Sequence, residues 1–276
     1  MHQKLGQHFL VDSSVAASIA EALAPPPGAV VVEIGPGKGA LTRVLLARLA
    51  PRTLIAIERD PDLAATLRAD PAFRSAPLAV RVGDARTELP AVSRELGTPP
   101  TPWFLVGNIP YYITGTLLRT LEGLEHPPER IVLTLQREVA ERVAAGPPRM
   151  NLLAASVQAW ASVRLVCTVP RGAFSPLPEV TSAVLTLTPR TERPPTGYFA
   201  LVRCLFAQPR KTIRNSIADA EGARTFPWTR AALRRALEHV GISESMRAQS
   251  LSPEKIGELL RALGPAALHP DRHEEV

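Results

Sequence analysis

The sequence contains little of what characterises disulfide-stabilised, metal-binding or membrane-spanning proteins. Only two of its 276 residues are cysteines. Cys167 and Cys204 lack the spacing of metal ligands, which favours small buried apolar residues. No apolar run approaches the ~18 residues of a membrane span, and residues 1–4 do not open a secretory signal. These absences predict a cytoplasmic protein that makes no membrane contact and holds no metal.

Acidic residues are also in deficit. The chain carries 32 lysine and arginine residues against 26 aspartate and glutamate residues, a formal net charge of +6. This excess favours a polyanionic partner, nucleic acid first, although many basic proteins bind nothing anionic. The hydrophobic fraction of 45% and the charged fraction of 21% are otherwise ordinary for a globular protein. The length accommodates a sizeable core and a smaller second domain.

Residues 29–49 follow the order strand, glycine-rich turn, helix. The β-branched run 29–34 predicts a central parallel strand, and apolar residues then recur at helical spacing. This order is typical of a doubly wound α/β sheet, in which ligands bind where the strands end. Gly35 and Gly37 allow a ligand to approach the backbone closely. The spacing also fits a nicotinamide or flavin site, and a tight turn without any ligand is the simplest alternative.

Three further polar side chains follow predicted strands at their carboxyl ends. Glu58, roughly twenty residues beyond the glycines, is placed to accept hydrogen bonds from ribose hydroxyls. Asp84 can accept from an adenine amine, and Asn108 follows a short apolar strand. Each also has a plain structural interpretation as a helix cap or a turn residue. Because they recur on one edge of the sheet, with Glu33 near the same edge, we expect a nucleoside-type ligand there.

The stretch 108–112, with the sequence NIPYY, combines an amide, backbone carbonyls and a flat aromatic ring. An adenine amine has two N–H groups. The Asn108 side-chain oxygen and a carbonyl near Pro110 can accept hydrogen bonds from them. The Tyr111 ring can stack on the base. The alternative is a polar turn with two half-buried tyrosines. The neighbouring strand ends favour the interpretation as a site.

The chain changes character after its last predicted strands. Two runs on either side of a stiff loop predict an antiparallel strand pair at the end of the sheet. That loop displays Phe174, which is either functional or a hydrophobic plug. The proline-rich segment 188–195 has the composition of a linker, and every later pattern is helical. We therefore predict an α/β domain over 1–190 and a small all-α domain over 191–276.

The predicted helical domain carries a cluster of basic residues. Its members are Arg210, Lys211, Arg214, Arg234 and Arg235. A solvated charged face is the ordinary explanation of such a cluster. Because the whole chain is basic, contact with RNA phosphates is an equal alternative.

Six motifs appear in a characteristic order. They are GQHFL (6–10), EIGPGKGALT (33–42), NIPYY (108–112), QREVAER (136–142), FSPLP (174–178) and RKTIRN (210–215). In these motifs the chain resembles the KsgA-type ribosomal RNA adenine dimethyltransferases. The matches cover about residues 4–215, and the helical remainder fits the family's C-terminal domain more loosely.

The resemblance implies a Rossmann-like class I methyltransferase sheet with a small all-α C-terminal domain, S-adenosylmethionine as methyl donor and no metal. As target it implies two adjacent adenosines in a hairpin loop near the 3′ end of small-subunit ribosomal RNA. Each would be dimethylated on its exocyclic amine, on an immature small subunit during ribosome biogenesis, by a monomeric enzyme. The residues assigned to the donor site are His8, Leu10, Glu33, Gly35, Gly37, Glu58, Asp84 and Asn108.

The implied reaction is a direct in-line methyl transfer. Asn108 and the carbonyl near Pro110 accept hydrogen bonds from the amine. Tyr111 stacks on one face of the base, and Phe174 covers the other face. Two positions depart from the family pattern. His8 stands where asparagine is usual, and residues 149–153 lack the aromatic and the glycine that many relatives carry.

Three alternatives remain open on the sequence alone. An adenine methyltransferase of the macrolide-resistance type, acting on large-subunit RNA, shares the donor-site motifs, although the Phe174 loop and the segment 210–215 resemble the small-subunit enzymes better. A ribosome-assembly factor that binds RNA, with secondary catalysis, is the second. A dinucleotide-dependent oxidoreductase is the third, because it accounts for the glycine pattern.

Overall fold

The structure, a computed structural model, describes residues 8–222 and 228–264, with the backbone alone for Tyr111 and 218–222. The chain divides into two compact units. The first comprises Met1–Glu141 and Ala161–Pro189, and the second comprises Arg142–Trp160 and Arg190–Val276. None of the helices in the described part of the chain is long and apolar enough to cross a membrane.

The first unit contains the strands and five complete helices. Its strands are β1 (Phe9–Leu10), β2 (Val30–Ile34), β3 (Thr53–Glu58), β4 (Leu78–Val82), β5 (Trp103–Asn108), β6 (Arg130–Gln136), β7 (Ala161–Val169), β8 (Phe174–Ser175) and β9 (Ser182–Pro189). Its helices are α1 (Ser13–Leu23), α2 (Ala40–Leu49), α3 (Pro61–Ala69), α4 (Ala85–Leu96) and α5 (Thr114–Glu122). Helix α6 (Arg137–Val143) begins in the first unit and ends in the second.

Seven strands form one sheet in the order β4-β3-β2-β5-β6-β9-β7. The first five are parallel, and β9 and β7 run antiparallel at one end. The predictions of a doubly wound α/β sheet and of a terminal antiparallel pair are confirmed. Strand β2 lies between β3 and β5, where the strand order reverses, and this is where such sheets bind ligands. Ile34 is in register with Ile57 on one side and with Gly107 on the other, which aligns the three strand ends.

Local sequence explains the central strand and the helix starts. Every residue of β2 is buried, as expected for a parallel strand covered on both faces. The carboxylates of Asp12, Asp60 and Asp84 accept backbone N–H groups in the first turns of α1, α3 and α4, which satisfies donors that a helix start leaves unpaired. The predicted cap at Asp12 is therefore confirmed. Two of these caps directly follow strand ends, so they shape the loops at the ligand-binding edge.

A second, two-stranded sheet joins the beginning of the described chain to the Phe174 loop. Strand β1 pairs antiparallel with β8, with Phe9 opposite Ser175 and Leu10 opposite Phe174. Leu10 and Phe174 are both buried in the core that also contains Val31 and Leu41. Segments far apart in the sequence therefore meet beside the central strand.

The second unit is built around helices. They are α7 (Leu152–Gln158), α8 (Tyr198–Ala207), α9 (Ile213–Gly222), α10 (Arg230–His239) and α11 (Pro253–Leu263). The predicted division into 1–190 and 191–276 differs from the observed one at Arg142–Trp160, which belongs to this unit. The reason is packing: Met150, Ala154 and Ala155 are buried in its core with Tyr198. The helical pattern after the linker predicted helices α8 and α11, and the structure contains both.

Candidate active site

A cleft in the first unit lies at the carboxyl ends of β2, β3 and β5. It is partly open to solvent and brings polar groups from all three strand ends together. Ten of the residues that the sequence analysis selected line it. They are His8, Leu10, Glu33, Gly35, Gly37, Glu58, Asp84, Asn108, Pro110 and Phe174. The side chain of Tyr111 lies outside the described residues, so its stacking stays a prediction.

The glycine-rich turn forms the floor of the cleft. Gly35 and Gly37 have φ angles of 65° and 54°, in the left-handed region that favours glycine. A Cβ atom added to Gly37 would lie 2.7 Å from the Phe9 ring, so the N-terminal strand packs directly on the turn. The Lys38 ammonium lies 5.0 Å from the centre of the same ring. Only a residue without a side chain fits at position 37.

Glu58 is held by the backbone of this turn. Its carboxylate is buried, with 5% of the residue exposed. One oxygen accepts the Gly37 N–H at 3.0 Å and the other accepts the Asp60 N–H at 2.9 Å. Each carboxylate oxygen has a second lone pair. The residue is therefore oriented rigidly and can still accept hydrogen bonds from ribose hydroxyls.

Asp84 is both a helix cap and a cleft residue. It accepts the Arg86 backbone N–H at 2.9 Å, and the Arg86 guanidinium at 2.9 and 2.7 Å. The Arg86 hydrogen bonds lower the pKa of this carboxyl to about 2, so it is ionised at neutral pH. The structural interpretation as a cap is confirmed. Contact with an adenine amine stays a prediction.

Glu33 differs from the other two carboxylates because its pKa is strongly raised. Only 1% of the residue is exposed, and its side chain accepts the Thr42 hydroxyl at 2.8 Å. Burial raises the pKa of Glu33 to about 8, with a smaller contribution from the nearby charge of Glu58. A carboxyl that is largely protonated at neutral pH therefore lines the base of the cleft.

Asn108 ends β5 at the other side of the cleft. Its side-chain Nδ2 donates to the His8 carbonyl at 3.0 Å. Since a carbonyl can only accept, this bond identifies which end of the amide is the donor and leaves Oδ1 as its acceptor. The Pro110 carbonyl accepts the Ile113 N–H at 3.2 Å, and the Ile109 N–H donates to the Thr134 carbonyl at 3.1 Å. The loop is thereby fixed to the neighbouring strand.

Sequence reasoning missed several residues around the cleft. Thr42 lies in a motif that was recognised, but its bond to Glu33 depends on helix α2 turning back over β2. Arg86 follows the capping Asp84 by two residues. This spacing could have predicted the local ion pair. At the mouth, the exposed Tyr112 accepts a hydrogen bond from Arg59 at 3.2 Å. This contact joins two strand ends and had no local signal.

The five basic residues predicted to bind RNA lie in the second unit. Arg214 and Arg234 share one acid: they lie 3.2 and 3.1 Å from the carboxylate of Glu244. The hydrogen bond from Arg234, then that from Arg214, lowers the pKa of Glu244. Arg210 and Arg235 are exposed and Lys211 is half-buried. The structure thus brings at least two of the five to one place.

Residues 8–222 and 228–264 contain no cluster of three His, Cys, Asp or Glu side chains suited to a metal ion. The cleft offers carboxylate, amide and backbone groups to a ligand. Their arrangement suits a nucleoside that carries hydroxyl and amine groups, with a second amine near Asn108.

Comparison with known proteins agrees with this site. The family described as "Ribosomal RNA adenine dimethylase" matches residues 1–263. The protein named "Ribosomal RNA small subunit methyltransferase A" from Acidobacterium capsulatum is 42% identical over 267 residues, which cover 94% of this chain and 90% of that protein. The protein of the same name from a Synechococcus species is 37% identical, with 96% of each chain covered.

Two solved structures resemble the whole chain. The 23S rRNA methyltransferase ErmE is 29% identical, with a TM-score of 0.72, and covers 92% of this chain and 99% of its own. A dimethyladenosine transferase from Plasmodium falciparum has a TM-score of 0.76 at 24% identity, over 94% of this chain and 99% of its own, and shares the fold. The resemblance inferred from the motifs and the predicted class I methyltransferase fold are confirmed. With this family match and relatives of this identity along almost the whole chain, the protein belongs to the ribosomal RNA adenine dimethylase family.

Proposed function

We propose that the protein transfers methyl groups from S-adenosylmethionine to the exocyclic amines of two adjacent adenosines in a small-subunit ribosomal RNA hairpin loop. The observation that carries this proposal is the convergence of Glu58, Asp84 and Asn108 on one cleft over the glycine-rich turn. Relatives at 42% and 37% identity bear the name of a small-subunit enzyme. An immature small subunit in the cytoplasm is the proposed substrate, and a monomer the proposed active form.

The residues present fit the proposed donor. Glu58 is oriented to accept ribose hydroxyls, and the ionised Asp84 to accept an adenine amine. The absence of a side chain at Gly35 and Gly37 gives the methionine part access to the backbone. Leu10 and Glu33 are proposed to complete the wall, together with the backbone of His8. When bound, S-adenosylmethionine supplies a methyl group on a sulfonium, which is a good leaving group.

Asn108 acts on the target amine. The lone pair of that nitrogen is delocalised into the purine ring, which makes it a weak nucleophile. Asn108 Oδ1 and a carbonyl near Pro110 accept hydrogen bonds from the two N–H groups of the amine. These bonds favour a pyramidal nitrogen whose lone pair faces the methyl carbon. Bound beside this nitrogen, the donor would supply the methyl carbon and keep the electron pair of its carbon–sulfur bond, and the proton lost by nitrogen would pass to water. Preorganised acceptors stabilise the charge that develops on nitrogen, and alignment supplies several kcal/mol.

The target base has to leave its stack to reach Asn108, at a cost of roughly a few kcal/mol that is smaller in a loop. Tyr111 is proposed to stack on one face of the base. Phe174, buried beside the cleft, is proposed to contact the other. After the first transfer, the monomethylated amine rotates or rebinds for the second.

The helical unit is proposed to bind RNA phosphates through Arg210, Lys211, Arg214, Arg234 and Arg235. Replacing Arg214 and Arg234 by alanine should weaken RNA binding and reduce its salt dependence by about one slope unit per lost phosphate contact. Glu244→Gln is the matched variant, because it removes the acid that competes for both arginines. It should strengthen binding. If both changes leave the RNA affinity and its salt slope untouched, these arginines do not contact RNA.

The function is tested by incubating the protein with labelled donor and either immature small subunits or large-subunit RNA. Mass spectrometry of nuclease fragments should find two neighbouring dimethyladenosines in the small-subunit RNA. The structural likeness to ErmE makes large-subunit RNA the second candidate, and label found there alone would overturn the proposal. Equilibrium binding of S-adenosylmethionine against NAD excludes or supports the oxidoreductase alternative.

A further inference from the structure

His8 holds together two parts of the cleft that are distant in the sequence. We propose that it is a positioning residue for methyl transfer, which anchors the Phe174 loop through its side chain and orients Asn108 through its carbonyl. The motif resemblance implies contact with the donor for this position. The structure gives the imidazole a different task.

The side chain of His8 reaches the loop that follows β8. Its Nδ1 lies 2.9 Å from the Pro176 carbonyl oxygen, 168 positions further along the chain. Because a carbonyl can only accept, Nδ1 carries the hydrogen of this bond. An imidazole N–H therefore secures the loop two residues beyond Phe174.

The bond extends a very short sheet. Among the described residues, the ladder between β1 and β8 pairs Phe9 with Ser175 and Leu10 with Phe174, and it continues on one side with the Val11 N–H on the Ala173 carbonyl at 2.8 Å. An isolated two-stranded pairing of this length is only marginally stable. The His8 side chain adds a bond at the opposite end, on the side of the cleft mouth.

The backbone of the same residue fixes Asn108. The His8 carbonyl accepts the Asn108 Nδ2–H at 3.0 Å, which decides that Oδ1 is the acceptor end of the amide. His8 thus supports both Asn108, the proposed hydrogen-bond acceptor, and Phe174, the ring proposed to contact the base. A displacement of about 1 Å at such a support can lower a transfer rate by roughly a hundredfold. The inference rests on the roles proposed above for Asn108 and Phe174.

The test compares His8→Leu with His8→Asn. Leucine has a similar size and no N–H, whereas the asparagine amide can donate to the Pro176 carbonyl. We expect His8→Leu to lower the single-turnover transfer rate, at saturating donor and RNA, by about tenfold to a hundredfold. Its donor dissociation constant should stay within about twofold of wild type, and His8→Asn should recover most of the rate. Thermal unfolding identifies a variant that fails to fold.

A double-mutant cycle with Phe174→Ala tests the route of the effect. If His8 acts through the Phe174 loop, adding His8→Leu to Phe174→Ala should lower the rate less than His8→Leu does alone. Additive losses would overturn the proposal, as would a His8→Asn variant as slow as His8→Leu. A weakened donor affinity with a normal rate at saturation would instead assign the side chain to the donor and overturn it too.

Failure of the proposed function looks different from failure of this inference. If the wild-type protein transfers no methyl group to small-subunit RNA, the proposed function fails. If Asn108→Ala transfers at the wild-type rate, the role proposed for Asn108 fails. If wild type is active, Asn108→Ala is impaired and His8→Leu is as fast as wild type, only the inference about His8 fails.

Discussion

The two sides of the cleft are built over very different distances along the chain. On the side proposed to bind the methyl donor, called the donor side, Glu58 binds the backbone of Gly37, 21 positions away. Asp84 binds Arg86, two positions away. On the acceptor side, Asn108 binds His8, 100 positions away, and His8 in turn binds the loop at Pro176.

This difference separates two requirements of the reaction. The donor side has to recognise the same small molecule whatever the target, and one strand–turn–helix unit and its neighbour suffice for that. The acceptor side has to accommodate an RNA base, and it is assembled from the N-terminal strand, the Asn108 loop and the Phe174 loop. Changes on the donor side should therefore alter affinity for the methyl donor, and changes on the acceptor side should alter the rate of transfer.

The largest effect is expected at Asn108. Asn108→Ala removes the side-chain acceptor and should lower methyl transfer by about 10²–10³-fold, as for loss of one preorganised polar contact at a reacting group. RNA binding should remain. Quench-flow kinetics measures the transfer rate and equilibrium titration measures RNA binding.

Asn108→Asp sharpens this comparison. It keeps an acceptor oxygen and loses the Nδ2 donor that binds the His8 carbonyl. Its rate should fall between those of wild type and Asn108→Ala. A rate as low as that of the alanine variant would show that orientation by His8, rather than the acceptor itself, limits the reaction.

At Glu58 we expect a smaller effect, on donor affinity rather than on the transfer rate. The Glu58 carboxylate accepts hydrogen bonds from two backbone N–H groups. Glu58→Gln places an amide NH₂ group against one of these donors. Donor affinity should fall by about 10-fold to 150-fold, because charged hydrogen bonds contribute roughly 1.5–3 kcal/mol. The transfer rate at saturating donor should change far less, and calorimetric titration with single-turnover kinetics checks both. A normal affinity with a slow rate would remove the distinction between the two sides.

The smallest effect concerns stability rather than turnover. The folded protein raises the pKa of Glu33 from about 4.5 to about 8, so between these values the unfolded chain releases a proton that the folded protein keeps. Wild-type stability therefore loses up to a few kcal/mol as pH rises through this window. Glu33→Gln, which can still accept the Thr42 hydroxyl, lacks that loss.

Denaturant unfolding of both proteins from about pH 3 to about pH 9 measures this difference. The free energy of unfolding of Glu33→Gln should rise relative to wild type as pH increases, and level off above pH 8. A constant difference would mean that Glu33 titrates alike in the folded and unfolded chains. A difference that shrinks with pH would show a lowered pKa instead.

Local patterns predicted much of the fold and the donor side. The buried run of β2 and the Asp12 cap follow from residue types within a few positions of each other. The same patterns misplaced Arg142–Trp160, because a short amphipathic segment does not reveal which core it joins. Its buried residue Met150 packs with residues that follow position 190, and its N–H donates to the Gln249 carbonyl.

By itself the sequence determined the doubly wound sheet, the glycine-rich turn and the convergence of Glu58, Asp84 and Asn108 on one edge, since strand periodicity and parallel order place successive strand ends together. Only the tertiary structure decided the burial that raises the pKa of Glu33, and the link from Asn108 through His8 to the Phe174 loop. Burial and long-range hydrogen bonds depend on which distant segments pack together, and no local pattern records that.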